Sequence, residues 1–216
     1  MPLAGDTKTD VFGPLPDCQL LVFARAPVAG RCKTRLMPRY GARGAASIHQ
    51  RLLLRSLRTA NQVGAELALH CEPHTGHGFF LRCRRNFALR LKRQVRGDLG
   101  RKMALALQHA LRHAQRVVII GTDCAALRAD DITAAFAALA NVDYVLQPAD
   151  DGGYVLIGAR RAAPAALRNI DWSSGRERAQ TLARLRRLGL SYRLLSPSWD
   201  VDHPRDVRKA RRLQLL

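Results

Sequence analysis

The chain of 216 residues is long enough for one compact domain, and its 47% hydrophobic and 25% charged residues exclude disordered, collagen-like and coiled-coil classes. Lys and Arg outnumber Asp and Glu by 36 to 17, a net charge of +19, which favours nucleic acid, an anionic membrane or phosphorylated small molecules as partners. The cations are mostly Arg, which suits phosphate but is equally expected from GC-rich coding, so we weigh the positions of the charges above their total.

The sequence contains no feature of export or membrane insertion. Its five cysteines are scattered without a C-x-x-C pair, which excludes a disulfide framework or a zinc module and suits a reducing compartment. Residues 1–17 lack the apolar region of a signal peptide, and no apolar run approaches the roughly 18 residues of a membrane span. We therefore expect a cytoplasmic protein with a flexible tail over 1–17 and one domain over 18–216.

Apolar patterning predicts alternating strands and helices. The first half predicts a buried strand at 18–24, a helix at 41–61 and a strand at 66–71. An irregular segment at 72–87, an edge strand at 88–95 and a helix at 99–114 are predicted to follow. The second half predicts a strand at 116–121, a helix at 130–140, and two strands at 143–149 and 153–160 joined by a tight turn. A helix at 174–188, a strand at 190–196 and a basic helix from 204 are predicted to follow. This alternation indicates an α/β fold with a mostly parallel sheet.

Ligands of open α/β sheets bind beyond the carboxyl ends of the strands, so we examined the polar residues that follow each predicted strand. The first strand runs into a glycine-containing loop that carries the cations Arg25, Lys33 and Arg35, with Gly30 between them. Close backbone approach combined with fixed positive charge favours phosphate binding, although the loop lacks the Walker A pattern. The alternative is a solvated basic turn.

Acidic residues follow two other predicted strands. Asp123 comes after the most apolar strand, while Asp200 and Asp202 lie in a WDVD segment of the otherwise basic C-terminal region. Carboxylates in such positions can hold a divalent cation on a diphosphate, but aspartate also caps turns and helices. If Asp123 and Asp202 converge in one crevice, a metal site is the better explanation.

The segment that joins the two predicted hairpin strands and begins the second of them includes Asp150, Asp151, Gly152, Gly153 and Tyr154. Asp-Gly is a strong hairpin-turn signal, which explains the segment without any function. The functional alternative is that the glycines let a ligand approach while Asp151 binds hydroxyl groups or acts as a base.

A basic stretch favours nucleic acid more than any other part of the chain. Residues 82–102 contain nine Lys and Arg side chains and one acid, Asp98. Phe87 is the only aromatic residue in this stretch, whereas single-strand binding needs several stacking platforms, and no known nucleic-acid-binding motif is present.

Together these segments resemble a known family. From Leu20 to about Asp206 the chain is similar to bacterial glycosyltransferases of the arsenosugar-biosynthesis type, which have the GT-A nucleotide-diphospho-sugar transferase fold. The matching stretches are FARAPVAGRCKTRL, GDLGRKM, VVIIGTDC, QPADDGGYVLIG, IDW and WDVDHPRD. A more distant similarity extends to guanylyltransferases of the molybdenum-cofactor and phospholactate types.

The resemblance implies a three-layer fold and a set of site residues. It implies that Arg25, Gly30, Lys33 and Arg35 line the nucleotide phosphates and that Asp123 and Asp202, with Asp200 nearby, hold Mg²⁺ or Mn²⁺. The turn over 150–154 matches the acceptor side. Family members usually have Pro-Gly where this chain has Ala125-Ala126, a departure that we expect to alter the acceptor-side geometry more than metal binding.

We therefore expect a metal-dependent transferase that moves a sugar from a nucleotide-diphospho-sugar to a small-molecule acceptor, with Asp123 and Asp151 as catalytic residues. The first alternative is a nucleotidyltransferase that releases pyrophosphate from an NTP. The second is a basic nucleic-acid-binding protein with a degenerate transferase site. The oligomeric state is left open.

Overall fold

The structure, a computed structural model, describes residues 13–216. Most of the tail predicted over 1–17 therefore lies outside the described residues. Within its last five residues, the Leu15 N–H donates to the Gly64 carbonyl at 3.1 Å, and the Leu15 side chain packs against the core.

In the described part of the chain, seven strands form one mostly parallel sheet. They are β1 (Cys18–Arg25), β2 (Glu66–Glu72), β3 (Leu89–Arg93), β4 (Arg116–Ile120), β5 (Tyr144–Pro148), β6 (Tyr154–Ala159) and β7 (Tyr192–Leu194). Their spatial order is β3-β2-β1-β4-β6-β5-β7, and only β6 runs antiparallel to its neighbours. The connection between β5 and β6 is too short for a parallel crossover, which needs a dozen or more residues. The predicted α/β fold with a mostly parallel sheet is confirmed.

Helices cover both faces of the sheet and make the predicted three layers. They are α1 (Met37–Asn61), α2 (Gly78–Asn86), α3 (Leu99–Ala110), α4 (Ala129–Ala138), α5 (Glu177–Arg187) and α6 (Pro204–Arg212). Leu57 of α1, Phe80 of α2 and Phe136 of α4 are buried on one face. Leu107 of α3 and Leu185 of α5 are buried on the other, so the central strands are apolar on both sides.

The prediction of an irregular segment over 72–87 is wrong, because part of it forms α2. His77 caps this helix, since its ring nitrogen accepts from the Phe79 N–H at 3.2 Å. Phe79, Phe80 and Cys83 then turn into the core. A nine-residue helix with three buried side chains is too short for a clear helical period in the sequence.

Two further expectations from composition can be compared with the structure. All five cysteines are buried and free. Within residues 13–216, none of the helices is both long enough and apolar enough to cross a bilayer.

The topology creates one crevice at the sheet's centre. β2 and β3 lie in turn on one side of β1, and the next strand in the chain, β4, lies on the other side of β1. Such a reversal of strand order leaves an open crevice beyond the carboxyl ends of the two central strands. The crevice therefore lies where Arg25 ends β1 and Asp123 follows β4.

Candidate active site

The loop after β1 delivers Lys33 into the crevice. Lys33 has a left-handed backbone (φ 47°), uncommon for a residue with a side chain, and it precedes a short 3₁₀ helix over Thr34–Leu36. Leu36 is fully buried against Val201 and Val207, so the loop is anchored in a small core shared with α6. This anchoring fixes both the first loop and the segment that carries Asp202.

Asp123 and Asp202 converge on the Lys33 ammonium. Lys33 Nζ lies 2.8 Å from Asp123 Oδ1 and 2.9 Å from Asp202 Oδ1. Arg35 Nη1 lies 3.4 Å from the second oxygen of Asp202. The Val201 N–H donates to the Asp123 carbonyl at 2.9 Å, which ties the two acidic segments together through the backbone. The structure thus brings together the two aspartates predicted to share one crevice.

The Lys33 ammonium and the Asp123 carboxylate stabilise each other's ionised forms. Burial lowers the pKa of Lys33, but Asp123 and Asp202 outweigh this effect and raise the pKa above its usual value. Burial likewise raises the pKa of Asp123, and the adjacent Lys33 charge brings it below the usual value. Asp123 Oδ1 is covered and has no well-directed hydrogen bond, while 45% of the Asp123 side chain remains exposed to the crevice. One face of this carboxylate is therefore open to a ligand.

Asp200 lies beside this group, and among residues 13–216 no Lys, Arg or His forms an ion pair with it. Burial and the neighbouring Asp123 carboxylate raise the pKa of Asp200 to about 7, although Lys33 acts in the opposite direction. The crevice thus holds more carboxylate charge than Lys33 and Arg35 neutralise. Bound positive charge would relieve this repulsion.

His49, from the buried face of α1, was missed by the sequence analysis. Its Nε2 lies 2.9 Å from the Arg25 carbonyl, and because a carbonyl only accepts, Nε2 carries the proton. Within the described residues Nδ1 has no hydrogen-bond partner, and it lies 4.0 Å from Asp123 Oδ1. Burial lowers the pKa of His49, which favours the neutral ring. In the sequence His49 is only one position of an amphipathic helix, so no signal separated it from its neighbours.

A second ion network lies at the rim of the crevice. Lys102 Nζ lies 2.9 Å from Glu72 Oε2, and Arg25 Nη2 lies 3.5 Å from Glu72 Oε1. The hydrogen bond from Lys102 lowers the pKa of Glu72, which stays ionised. Arg25 is 55% exposed and free to turn toward a ligand in the crevice.

These residues surround two adjoining cavities. The larger, of about 640 Å³, is the cationic cleft: Arg25, Lys33, Arg35 and Lys102 line it together with Asp123 and Asp202. The smaller, of about 290 Å³, is the acidic cavity, lined by Asp151, Asp200 and Glu177 with the aromatic rings of Tyr154 and Trp172. Both cavities are bordered by Asp123, so a ligand in one meets a ligand in the other at this carboxylate.

The residues predicted on the acceptor side divide into two groups. Asp151, Gly153 and Tyr154 line the acidic cavity, and Asp151 Oδ1 accepts from the Gly153 N–H at 3.0 Å. Asp150 and Gly152 line neither cavity. Gly152 has φ 92°, and its Cα packs so closely on the Gly175 carbonyl that a Cβ would overlap it. Gly152 is thus explained by backbone packing.

Gly30 and the GDLG segment also have local explanations. Gly30 (φ 82°) forms the turn of the first loop without lining either cavity. Asp98 caps α3 by accepting from the Arg101 N–H at 2.7 Å. Leu99 lines both cavities, and a Cβ on Gly100 would overlap the Leu167 carbonyl.

Trp172 and Glu177 of the acidic cavity were also missed by residue-level reasoning. The IDW stretch matched the resembled family, but nothing in the sequence indicated what Trp172 contacts. The irregular segment before α5 brings both residues against β6, a contact between parts of the chain that local patterning does not reveal.

The carboxylates of the crevice are the candidate ligands for the predicted Mg²⁺ or Mn²⁺. Across residues 13–216 no three His, Cys, Asp or Glu side chains form a group that could hold a metal ion. Mg²⁺ is, however, commonly bound by one or two carboxylates together with the phosphates of its substrate. The face of Asp123 that is open to the crevice and the buried Asp200 carboxyl group beside it fit a cation that binds with a nucleotide.

Comparison with known proteins identifies the family. The model of DUF2064, described as an uncharacterized protein conserved in bacteria, matches residues 53–174, more than half of the chain. The chain belongs to the DUF2064 family. The matched part of this DUF2064 protein includes Asp123 and Asp151 but neither the first loop nor Asp202. No curated protein matches the chain.

Solved structures place this DUF2064 protein among transferase folds. A Desulfovibrio desulfuricans G20 protein, provisionally described as a nucleotide-diphospho-sugar transferase, is 27% identical over 88% of this chain and 84% of its own, with a TM-score of 0.80. CMP:2-keto-3-deoxy-manno-octonic acid synthetase complexed with CTP is 11% identical, with a TM-score of 0.58 over 91% of this chain and 98% of its own. Rv0371c of Mycobacterium tuberculosis H37Rv in complex with manganese is 20% identical, with a TM-score of 0.51 over 89% and 96%. The last two similarities show a shared fold alone.

Proposed function

We propose that this DUF2064 protein is a metal-dependent glycosyltransferase that moves a sugar from a nucleotide-diphospho-sugar to a hydroxyl group of a small acceptor. The observation that carries the proposal is the Lys33 ammonium held between Asp123 and Asp202, 2.8 and 2.9 Å away, in the crevice between β1 and β4. A buried cation flanked by carboxylates at the switch point of the sheet suits a diphosphate bound with a metal ion.

The cationic cleft would bind the donor's diphosphate. Arg25, Lys33 and Arg35 supply positive charge along one wall, and Lys102 supplies more at the rim. Arg25 and Arg35 are more than half exposed, so both can turn toward phosphate oxygens without leaving a buried partner. Charge-assisted hydrogen bonds of this kind are about twice as strong as neutral ones.

Asp123 and Asp202, with Asp200 beside them, would hold Mg²⁺ or Mn²⁺. A divalent ion bound there neutralises charge that develops on the departing diphosphate. Support comes from the open face of Asp123 and from the environment of Asp200, whose pKa is raised to about 7 by burial and by the neighbouring Asp123 carboxylate. Manganese in the Rv0371c structure supports a divalent ion in this fold.

In the proposed reaction the acceptor oxygen attacks the anomeric carbon of the sugar. The new carbon–oxygen bond forms as the bond from the anomeric carbon to the diphosphate oxygen breaks, and its electron pair leaves with the nucleoside diphosphate. Asp151 takes the proton of the acceptor hydroxyl and passes it to solvent. Its Oδ1 is held by the Gly153 N–H, and Asp151 forms no ion pair with any described residue, so its second oxygen is available as the base.

Glycosyl transfer is favoured over nucleotidyl transfer by two likenesses. Six sequence stretches of this chain resemble arsenosugar-type glycosyltransferases. The Desulfovibrio desulfuricans G20 protein, which is 27% identical to this chain, is provisionally described as a nucleotide-diphospho-sugar transferase. CMP:2-keto-3-deoxy-manno-octonic acid synthetase, which was solved with the nucleoside triphosphate CTP, shares 11% identity and supports the fold alone.

The proposal is tested by identifying the products. The purified full chain is incubated with Mn²⁺ and a panel of nucleotide sugars or, separately, of NTPs, and released phosphates are separated by chromatography. A nucleoside diphosphate released from a nucleotide sugar supports glycosyl transfer. Pyrophosphate released from an NTP would contradict the proposal and support nucleotidyl transfer. Asp123→Asn should abolish release, and Asp130→Asn should not, because Asp130 is an exposed residue of α4 that pairs with Arg128. Binding to nucleic acid that weakens steeply with salt and needs no divalent ion would favour the degenerate-site alternative.

A further inference from the structure

We infer that the acidic cavity selects a positively charged acceptor: a small hydroxyl compound that also carries an ammonium group. This inference rests on the proposed function, because the cavity becomes an acceptor site only if the cationic cleft binds the donor. It adds a substrate class that neither the fold nor the family match specifies.

The charge of the acidic cavity is opposite to that of the chain. Asp123, Asp151, Asp200 and Glu177 line it, and among the described residues that line it there is no Lys, Arg or His. The lining of this cavity thus differs from the chain as a whole, which has 36 Lys and Arg residues and a net charge of +19. A phosphorylated or carboxylated acceptor would enter a cavity with four carboxylates and no cation.

Glu177 is a buried acidic side chain that lines the acidic cavity. Only 6% of this residue is exposed. Its Oε1 accepts one hydrogen bond from the Ser174 N–H at 2.8 Å, and its position at the start of α5 offsets part of its charge. Within the part of the chain that is described, no Lys, Arg or His lies within ion-pair distance of it. Burying a carboxylate without a counter-charge is costly, so a ligand cation would stabilise it.

The aromatic walls supply a second feature that favours a cation. Tyr154 and Trp172 meet edge to face, with ring centroids 6.3 Å apart and planes at 79°, and both line the cavity. Phe23 adds a third ring. Aromatic faces attract organic cations, and the combination of rings with carboxylates is the usual recognition of ammonium groups.

The two cavities therefore sort their ligands by charge. Phosphate is drawn to Arg25, Lys33 and Arg35 in the cationic cleft, while an ammonium group is drawn to Glu177 and the aromatic corner. Asp151 also lines the acidic cavity, on the loop before β6, where the proposed base would meet the acceptor hydroxyl. Opposite charges on donor and acceptor would thus place each substrate in its own compartment.

Three probes of matched shape test the inference. Choline, 3,3-dimethylbutan-1-ol and 3,3-dimethylbutanoate present a cation, a neutral group and an anion on nearly the same skeleton. Affinity for the full chain is measured by ligand-observed NMR, with and without Mg²⁺. We expect choline to bind about tenfold more tightly than the neutral alcohol, and the anion to bind most weakly. Equal affinities, no binding of choline, or tighter binding of the alcohol or the anion would overturn the inference.

Variants then assign the preference to the cavity. Asp151→Asn and Trp172→Leu should each reduce the choline preference severalfold, whereas Asp130→Asn, which removes the same charge from α4, should leave it unchanged. A preference untouched by both cavity variants would overturn the inference. Nucleoside diphosphate binding is measured on the same samples, so that an absence of choline selectivity in the parent chain, with intact diphosphate binding, contradicts this inference alone.

Discussion

Lys33 Nζ donates to Asp202 Oδ1 at 2.9 Å, although 169 positions separate the two residues in the chain. Leu36 beyond Lys33 and Val201 before Asp202 share one small buried core, which holds the two segments side by side. The contact is therefore built into the fold, and it places a buried ammonium between two carboxylates at the end of β4.

Removal of the Lys33 charge should destabilise the protein. Lys33→Met leaves Asp123 and Asp202 facing each other without the cation between them, and breaking a buried ion pair in this way costs about 3–5 kcal/mol. We expect a loss of that order in the free energy of unfolding at pH 7, measured by urea denaturation. The double variant with Asp202→Asn should recover part of the loss, since it removes one of the repelling charges.

Arg35→Met is the matched control for that prediction. The Arg35 side chain is 60% exposed and lies 3.4 Å from Asp202, so solvent screens the pair and its loss should cost less than about 1 kcal/mol. Equal losses for the two variants would contradict the assignment of Lys33 as the buried centre of the site.

The stability contributed by Asp200 should fall as the pH rises. Burial and the Asp123 charge raise its pKa from 3.8 to about 7, so between these values the folded state keeps a proton that the unfolded chain releases. The contribution is complete below pH 4 and lost as the pH rises through 7. Asp200→Asn should therefore stabilise the protein at pH 8 by about 2 kcal/mol and have little effect at pH 4. Denaturation at both pH values measures this difference, and an equal effect at the two would contradict it.

Two glycines of the predicted site should differ in their tolerance of alanine. Gly30→Ala places a Cβ in open space and costs only the strain of a positive φ, about 1 kcal/mol. Gly152→Ala adds an overlap with the Gly175 carbonyl, and should cost about 3 kcal/mol or more. Thermal denaturation of the two variants compares them. Similar costs would mean that the turn between β5 and β6 adapts to a side chain.

Asp151 should affect the chemical step and not donor binding. If it accepts the acceptor proton, Asp151→Asn should lower kcat by about 10²- to 10⁴-fold while the affinity for the nucleotide donor is preserved. Asp150→Asn serves as the control, because Asp150 lines neither cavity. Steady-state kinetics with the productive donor would measure both variants, and an unchanged kcat for Asp151→Asn would remove this residue from the proposed reaction.

The sequence predicted the sheet and the shared crevice because both depend on strong local signals. Apolar runs such as 116–121 read directly as buried strands, and polar residues after parallel strands meet at one edge of a sheet. Asp123 and Lys33 were predicted for that reason. Asp202 required the added signal of two acids in an otherwise basic segment.

What the sequence did not predict depends on packing between distant segments. His49 is one buried position among many on α1, and Trp172 and Glu177 reach the acidic cavity only because the chain before α5 folds against β6. Gly152 was assigned to ligand approach, whereas its close contact with Gly175 is visible only in three dimensions. Side-chain environments of this kind have no local pattern.

The central claim is that Asp123 and Lys33 form a divalent-dependent diphosphate site, and calorimetric titration of nucleoside diphosphates tests it most directly. With Mn²⁺ the full chain should bind at least one of them, and chelation of the metal should weaken binding about tenfold or more. Asp123→Asn should remove this metal dependence while unfolding stays cooperative, and Asp130→Asn should behave as the parent protein. Binding with the same affinity in the presence and absence of Mn²⁺, or unaltered by Asp123→Asn, would contradict the claim.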